Sequence, residues 1–142
     1  MTKAIYINFL GFLTKKGNKV IAKKILDEAF LEVSLKTNQP VHILLIKVFL
    51  KLNSFVEIKK IKFRRSTHVV PFVLTSFKRK SYLIIKWLME VVEQDKRKVP
   101  IAKKLSKEIL NILKNKSSKA LIKKKMNTKN AVINRSNIHF RW

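Results

Sequence analysis

Val56-Glu57-Ile58-Lys59-Lys60-Ile61-Lys62-Phe63-Arg64-Arg65-Ser66-Thr67-His68-Val69-Val70-Pro71-Phe72-Val73-Leu74 interrupts a chain whose apolar residues are otherwise spaced for helices. Val56 to Lys59 alternates apolar and polar, Phe63 resumes after a basic run, and His68 to Leu74 is short and rich in β-branched residues. Two such runs close together predict an antiparallel β-hairpin over about residues 55–75. Lys59, Lys60, Lys62, Arg64 and Arg65 lie between the two apolar runs, so the ribbon carries five cations near its end or along one edge. An isolated two-stranded ribbon is only marginally stable in water. A basic, outward-reaching hairpin is therefore expected to owe part of its order to a partner.

Working outward, Thr37-Asn38-Gln39-Pro40 breaks the pattern on the N-terminal side, and Pro40 suits the start of a helix running to about Leu52, with Val41, Leu44, Leu45, Val48 and Leu52 facing inward. Before it, Ala22, Ile25, Leu26, Ala29 and Val33 recur at steps of three and four between Lys19 and Ser34, with Lys23, Lys24, Asp27 and Glu28 on the other side. Lys15-Lys16-Gly17-Asn18 is turn chemistry and separates this helix from a shorter N-terminal one. Beyond the hairpin, a helix is expected from near Lys78 with a stripe of Ile84, Trp87, Leu88 and Val91. Asp95-Lys96-Arg97-Lys98 makes a loop, and Pro100 opens another helix with Ile101, Leu105, Ile109 and Ile112 inward. Residues 115–142 read as a polar, basic extension, helical in part at best. The fold class is thus mostly α, a single domain over residues 1–142 of about five to six helices with a protruding two-stranded β-hairpin.

Composition constrains the partner. The 142 residues hold 33 Lys+Arg against 8 Asp+Glu, a formal net charge of +25. Packed into one body, such charges repel one another unless a polyanion screens them. Yet 46% of the residues are hydrophobic, too many for a disordered basic tail. Nucleic acid and an anionic membrane surface are the two polyanions that Lys and Arg neutralise. A run of charge is often no more than a solvated helix face. Five dispersed clusters, at 15–19, 59–65, 78–80, 103–107 and 123–125, with few acids to offset them, suit a partner that wraps the domain. That favours structured RNA over a flat bilayer. Lys78, Arg79 and Lys80 at a helix start are electrostatically unfavourable by a few tenths to ~1 kcal/mol each, and so call for a negative neighbour.

Other classes lose ground on the same residues. No cysteine is present, and His42, His68 and His139 lack any short ligand spacing, so neither a disulfide framework nor a metal site is expected. Gly11 and Gly17 alone cannot build a phosphate loop, and the eight acids mostly sit on helix faces beside lysines at salt-bridging spacing. No catalytic residue and no cofactor is expected. Ile5 to Leu13 reads as a helix and not a signal core, because no small-residue cleavage pattern follows. Lys47 and Lys51 interrupt the most apolar stretch, so no membrane span is predicted. Trp87 belongs to a helical stripe and so to the core. Trp142 is terminal, which suits stacking on RNA or docking.

Three stretches resemble small-subunit ribosomal protein seven, in order, over nearly the whole chain. Val56-Glu57-Ile58-Lys59 with His68-Val69-Val70-Pro71 is similar to that family's Glu-Val-Arg strand and its return strand ending in Val-Pro. Lys78 to Leu88 resembles the basic helix start with its Arg-Trp. Asn134-Arg135 and His139-Phe140-Arg141-Trp142 resemble the C-terminal Asn-Arg and His-Tyr-Arg-Trp. The resemblance implies a structural constituent of the small ribosomal subunit that binds the 3′ major domain of its rRNA, helps nucleate assembly of the head beside neighbouring head proteins, and holds its hairpin near the exit-site tRNA and the mRNA path. The rRNA-facing residues it implies, together with the charge reading, are Lys15, Lys16, Lys19, Lys59, Lys60, Lys62, Arg64, Arg65, Lys78, Arg79, Lys80, Lys123, Lys124, Arg135, Arg141 and Trp142.

Departures fall in the hairpin, where Arg64-Arg65 replaces the usual Gly-Gly and His68 a common Tyr, and before the terminal motif, at Val132, Ile133 and Ile138. Two glycines permit a bend that two arginines resist. Lysine-heavy usage with abundant Ile and Asn, and a start close to the family's first helix without an Arg-rich presequence, point to an organelle-encoded protein of the mitochondrion before the plastid, with an AT-rich bacterium as the alternative. A basic amphipathic membrane-surface protein is the rival of another class. An enzyme comes third.

Overall fold

Proline, asparagine and glycine set most of the helix boundaries. Pro40 and Pro100 stand immediately before their helices, where a missing N–H costs nothing. Asn38 closes another in the left-handed conformation (φ 51°), a common asparagine role at a helix C-terminus. Lys16 and Gly17 follow each other at φ 52° and 78° and reverse the chain between the first two helices. The computed structural model describes residues 2–140. Its order is α1 (Thr2–Leu13), α2 (Lys19–Thr37), α3 (Val41–Leu52), β1 (Val56–Phe63), β2 (Ser66–Val73), α4 (Phe77–Gln94), α5 (Ile101–Leu113), α6 (Lys119–Ile133) and a 3₁₀ turn, Arg135–Phe140, here η1.

The apolar stripes of α1 to α5 converge on one core, with Phe9, Leu26, Leu44, Ile85, Leu88, Leu105 and Ile109 at its centre, and Ala120 closes it from α6. Truncating a buried Leu or Ile to Ala typically costs about 2–5 kcal/mol, so these contacts decide whether the helices stay assembled. Val41 and Ile101, expected on inner stripes, are 36% and 40% exposed. Each is the first residue of its helix, where the chain is still entering the core. Trp87 is buried, but with Leu74 and Leu83 in a separate cluster beside the hairpin exit.

The hairpin is regular from Val56↔Val73 to Phe63↔Ser66, and only Arg64 and Arg65 form its turn. Lys59, Lys60 and Lys62 therefore lie within β1, and only the two arginines stand between the strands. Both faces of a two-stranded ribbon can meet water, so lysines at 59, 60 and 62 do not end the strand. Arg64 takes φ 53°, a conformation that costs a non-glycine residue roughly 1–2 kcal/mol. The ribbon also leans on its own chain. Asn127 Nδ2 donates to the Val56 carbonyl at 2.6 Å, Asn137 Nδ2 donates to the Val69 carbonyl at 3.0 Å, and the His68 ring stacks on Phe140 at 4.0 Å.

The C-terminal extension is more regular than its sequence suggests. Only Ala120 and Ala131 of α6 are buried, so its periodicity is faint. Polar anchors hold it instead. Ser118 Oγ accepts from the Leu121 N–H at 3.2 Å, while the buried Glu108 carboxylate accepts from Ser118 Oγ at 2.7 Å and from the Ala120 N–H at 3.0 Å. This is side-chain capping of a helix start, with the acid supplied from α5.

Candidate nucleic-acid interface

The cationic residues singled out from sequence fall at four places. At the α1–α2 corner, Lys15, Lys16 and Lys19 are exposed, and Lys15 reaches Glu93 at 3.5 Å across two exposed side chains. Asn18 makes no side-chain cap to α2, so the corner offers exposed lysines beside a helix start without an acidic first turn. On the hairpin, Lys59, Lys60, Lys62, Arg64 and Arg65 are all exposed. Strand alternation puts Lys60 and Lys62 on one face and Lys59 on the other. The Lys59 ammonium lies 4.6 Å from the Phe72 ring centroid, and the Arg64 guanidinium 5.4 Å from that of Phe63.

The first turn of α4 is the best-built of these places. Arg79 donates Nε to Glu57 Oε2 at 2.8 Å and Nη2 to Oε1, a two-point pairing that ties the hairpin base to α4. The hydrogen bonds to Glu57 raise the Arg79 pKa further above its ordinary value. Its guanidinium also lies 5.1 Å from the Tyr82 ring, and Lys80 Nζ lies 5.1 Å from the ring of Phe55. Lys78 is exposed beside them. Phe55 and Tyr82, 66% and 41% exposed, are not among the residues that charge and periodicity single out. A fainter signal does mark them: Tyr82 lies off the Ile84–Trp87–Leu88–Val91 stripe, and Phe55 follows the end of a helix with no stripe to join.

On α6, Lys123 and Lys124 are partly buried and engaged within the chain. Lys123 Nζ donates to Glu90 Oε2 at 2.7 Å, and Lys124 Nζ donates to the Lys51 carbonyl at 2.7 Å. Burial lowers the Lys124 pKa. Arg135 is exposed in η1, whereas Arg141 and Trp142 lie outside the described residues. The hairpin and the start of α4 are thus brought together by Arg79. The α1–α2 corner is not: Lys15 meets Glu93 near the far end of α4, an 18-residue helix about 27 Å long.

Seven of the eight acids are paired within the fold, and Glu28 stays exposed on α2. Asp27 accepts from the Tyr6 hydroxyl at 2.5 Å; burial, followed by that bond, pushes the Tyr6 pKa up to about 12. Glu32 accepts from Lys36 and from Ser106 Oγ, and these bonds hold its carboxyl below the usual range. Asp95 pairs with Arg97, which lowers its pKa strongly. Glu57, Glu90, Glu93 and Glu108 have the partners described above. Little negative charge is left to neutralise the surface cations. Among the described residues, no group of three His, Asp or Glu could hold a metal ion, and no helix is long and apolar enough to cross a membrane.

The family model for ribosomal protein S7p/S5e matches residues 2–135. The chain is similar to small ribosomal subunit protein uS7m of Reclinomonas americana, 30% identical over 97% of this chain and 85% of the relative. It is equally similar to uS7 of Wigglesworthia glossinidia brevipalpis, 30% identical over 97% of this chain and 86% of the relative. Against uS7m of Drosophila melanogaster it is 30% identical over 94% of this chain and 66% of the relative. Mitochondrial and bacterial proteins thus stand side by side among the relatives. The chain belongs to the ribosomal protein S7p/S5e family, structural components of the small ribosomal subunit and not enzymes.

Proposed function

We propose that residues 1–142 form one domain that binds the 3′ major domain of small-subunit rRNA, helps nucleate the head of the subunit beside neighbouring head proteins, and holds its hairpin near the exit-site tRNA and the mRNA path. The observation that carries this reading is the spread of exposed cations over the α1–α2 corner, the hairpin and the start of α4, while most of the few acids are already paired with groups of the chain itself. Lys15, Lys16, Lys19, Lys59, Lys60, Lys62, Arg64, Arg65, Lys78, Lys80 and Arg135 are the phosphate partners in this reading. Arg79, Lys123 and Lys124 place the elements that bear them. We assign the protein to a mitochondrial ribosome on its lysine-, isoleucine- and asparagine-rich composition, and its recovery from a cytoplasmic bacterial ribosome would overturn that assignment.

Filter binding of the purified chain, titrated with salt, tests the RNA reading against an unrelated RNA of equal length. Tighter binding to the cognate domain that persists at high salt is expected. Equal and steeply salt-dependent binding to both, at roughly 0.7–0.9 log units per phosphate contact, would reduce the chain to a general polyanion binder.

A further inference from the structure

We infer that the groove between α1 and the first turns of α4 seats one unpaired RNA nucleotide, an inference that rests on the RNA-binding reading above. The groove holds about 460 Å³ and is lined by Ile7, Asn8, Gly11, Phe12, Lys78 and Tyr82, among others. That volume is within the range of ligand-sized clefts, roughly 300–1,000 Å³.

Gly11 is the first of three observations. It lies within α1, where glycine weakens a helix relative to alanine. Its φ is not positive, and a Cβ added there would meet nothing within 4 Å. Neither backbone conformation nor packing within the chain requires glycine, and its bare backbone leaves room for a close approach from outside the chain. Second, Phe12 and Tyr82 form an aromatic wall, their ring centroids 5.2 Å apart, with Arg79 fixed over Tyr82 by Glu57. Third, a cation stands at the rim: Lys78 lines the groove, beside the Arg79 guanidinium held over Tyr82. Asn8 donates its Nδ2 to Ser81 Oγ at 3.1 Å, which fixes the amide so that its carbonyl oxygen can accept from a base or a 2′-hydroxyl.

A ring for stacking, a cation for the phosphate and bare backbone for the sugar match the chemistry of an unstacked nucleotide. An acidic peptide would use the lysines but has no need of the ring or the glycine.

The test compares the wild-type chain with Gly11→Ala, Tyr82→Leu and Lys78→Gln, each by thermal melting and by salt-titrated binding to the cognate rRNA domain. Gly11→Ala should raise Tm yet weaken RNA binding by about threefold or more, opposite signs that a merely structural glycine would not give. Tyr82→Leu should weaken binding about five- to a hundredfold with the salt slope unchanged. Lys78→Gln should lower the slope by about 0.7–0.9. Should all three variants bind as wild type while wild type still prefers the cognate RNA, the groove is no nucleotide seat, and a protein side chain becomes its candidate occupant; the RNA reading then stands. A Gly11→Ala variant that lost both Tm and affinity would also overturn the inference. Absence of preference in the wild type would remove the RNA reading itself.

Discussion

Glu57 keeps only 9% of its side chain exposed and accepts two hydrogen bonds from Arg79, whose own side chain is 45% exposed. Deleting the arginine strands a nearly buried carboxylate, so Arg79→Ala should lower stability in urea melts by about 2 kcal/mol, below the value for a fully buried pair because one partner meets water. Arg79→Lys should recover only part, since an ammonium cannot make the two-point pairing. A loss under ~0.5 kcal/mol would mean that the pair behaves as a surface contact. Glu32 offers a second residue-level prediction, through pH. Hydrogen bonds from Lys36 and then Ser106 lower its pKa on folding, so near pH 4 the unfolded chain binds more protons than the folded one. Its stabilisation is present above the unfolded value and is lost as pH falls through the folded one. Asp95, lowered chiefly by Arg97, acts in the same direction. Melting temperature measured from pH 7 down to pH 3 should therefore fall below about pH 4.5, and Glu32→Gln should flatten that descent; an unchanged profile in the variant would remove Glu32 from the account.

At the scale of the element, the hairpin and η1 act as one arm. Phe140 touches one face of the outer half of the ribbon across both strands, stacked on His68 at 4.0 Å and 6.2 Å from the Phe63 ring. Phe140→Ala should speed amide hydrogen exchange in the outer pairs, Lys60↔Val69 to Phe63↔Ser66, while the base near Val56, held by Asn127 of α6, stays protected. Uniform protection would show that the ribbon is ordered without the tail. The same elements show what is legible in the sequence. Alternation at Val56–Lys59 and the β-branched run at Val69–Val73 reveal two strands, but the lysines between them hide where β1 ends. The helix α6 is hard to read because its buried residues are two alanines and its anchors are Glu108, Glu90 and Lys51, on elements that come earlier in the chain. For the interface, the clusters themselves are readable as runs of Lys and Arg. That Arg79 and Lys123 are engaged internally is not, because their acids stand 22 and 33 residues away.

For the whole molecule, charge is the dominant fact: 33 basic residues face 8 acids, and those acids mostly bridge elements and do not disperse the field. Self-repulsion of this kind acts over a Debye length, about 10 Å at 0.1 M salt and 3 Å at 1 M. Raising sodium chloride should therefore raise the Tm of the free chain, by roughly 4 °C for each kcal/mol of repulsion relieved. Salt acts on the complex with the opposite sign, since the counterions that lysine and arginine displace from RNA phosphates are released less favourably into a more concentrated solution. RNA stabilises the folded chain in proportion to the logarithm of its concentration over Kd, so the gap between the melting temperatures of bound and free chain should narrow steadily as salt increases. Differential scanning fluorimetry with and without the cognate rRNA domain, from about 0.05 to about 0.5 M salt, a range over which the screening length falls severalfold, reads both slopes at once. A free-chain Tm that falls over that range would mean that ion pairs such as Arg79–Glu57 outweigh the repulsion. The molecule would then be stable by its own electrostatics, and its excess of cations would serve binding alone.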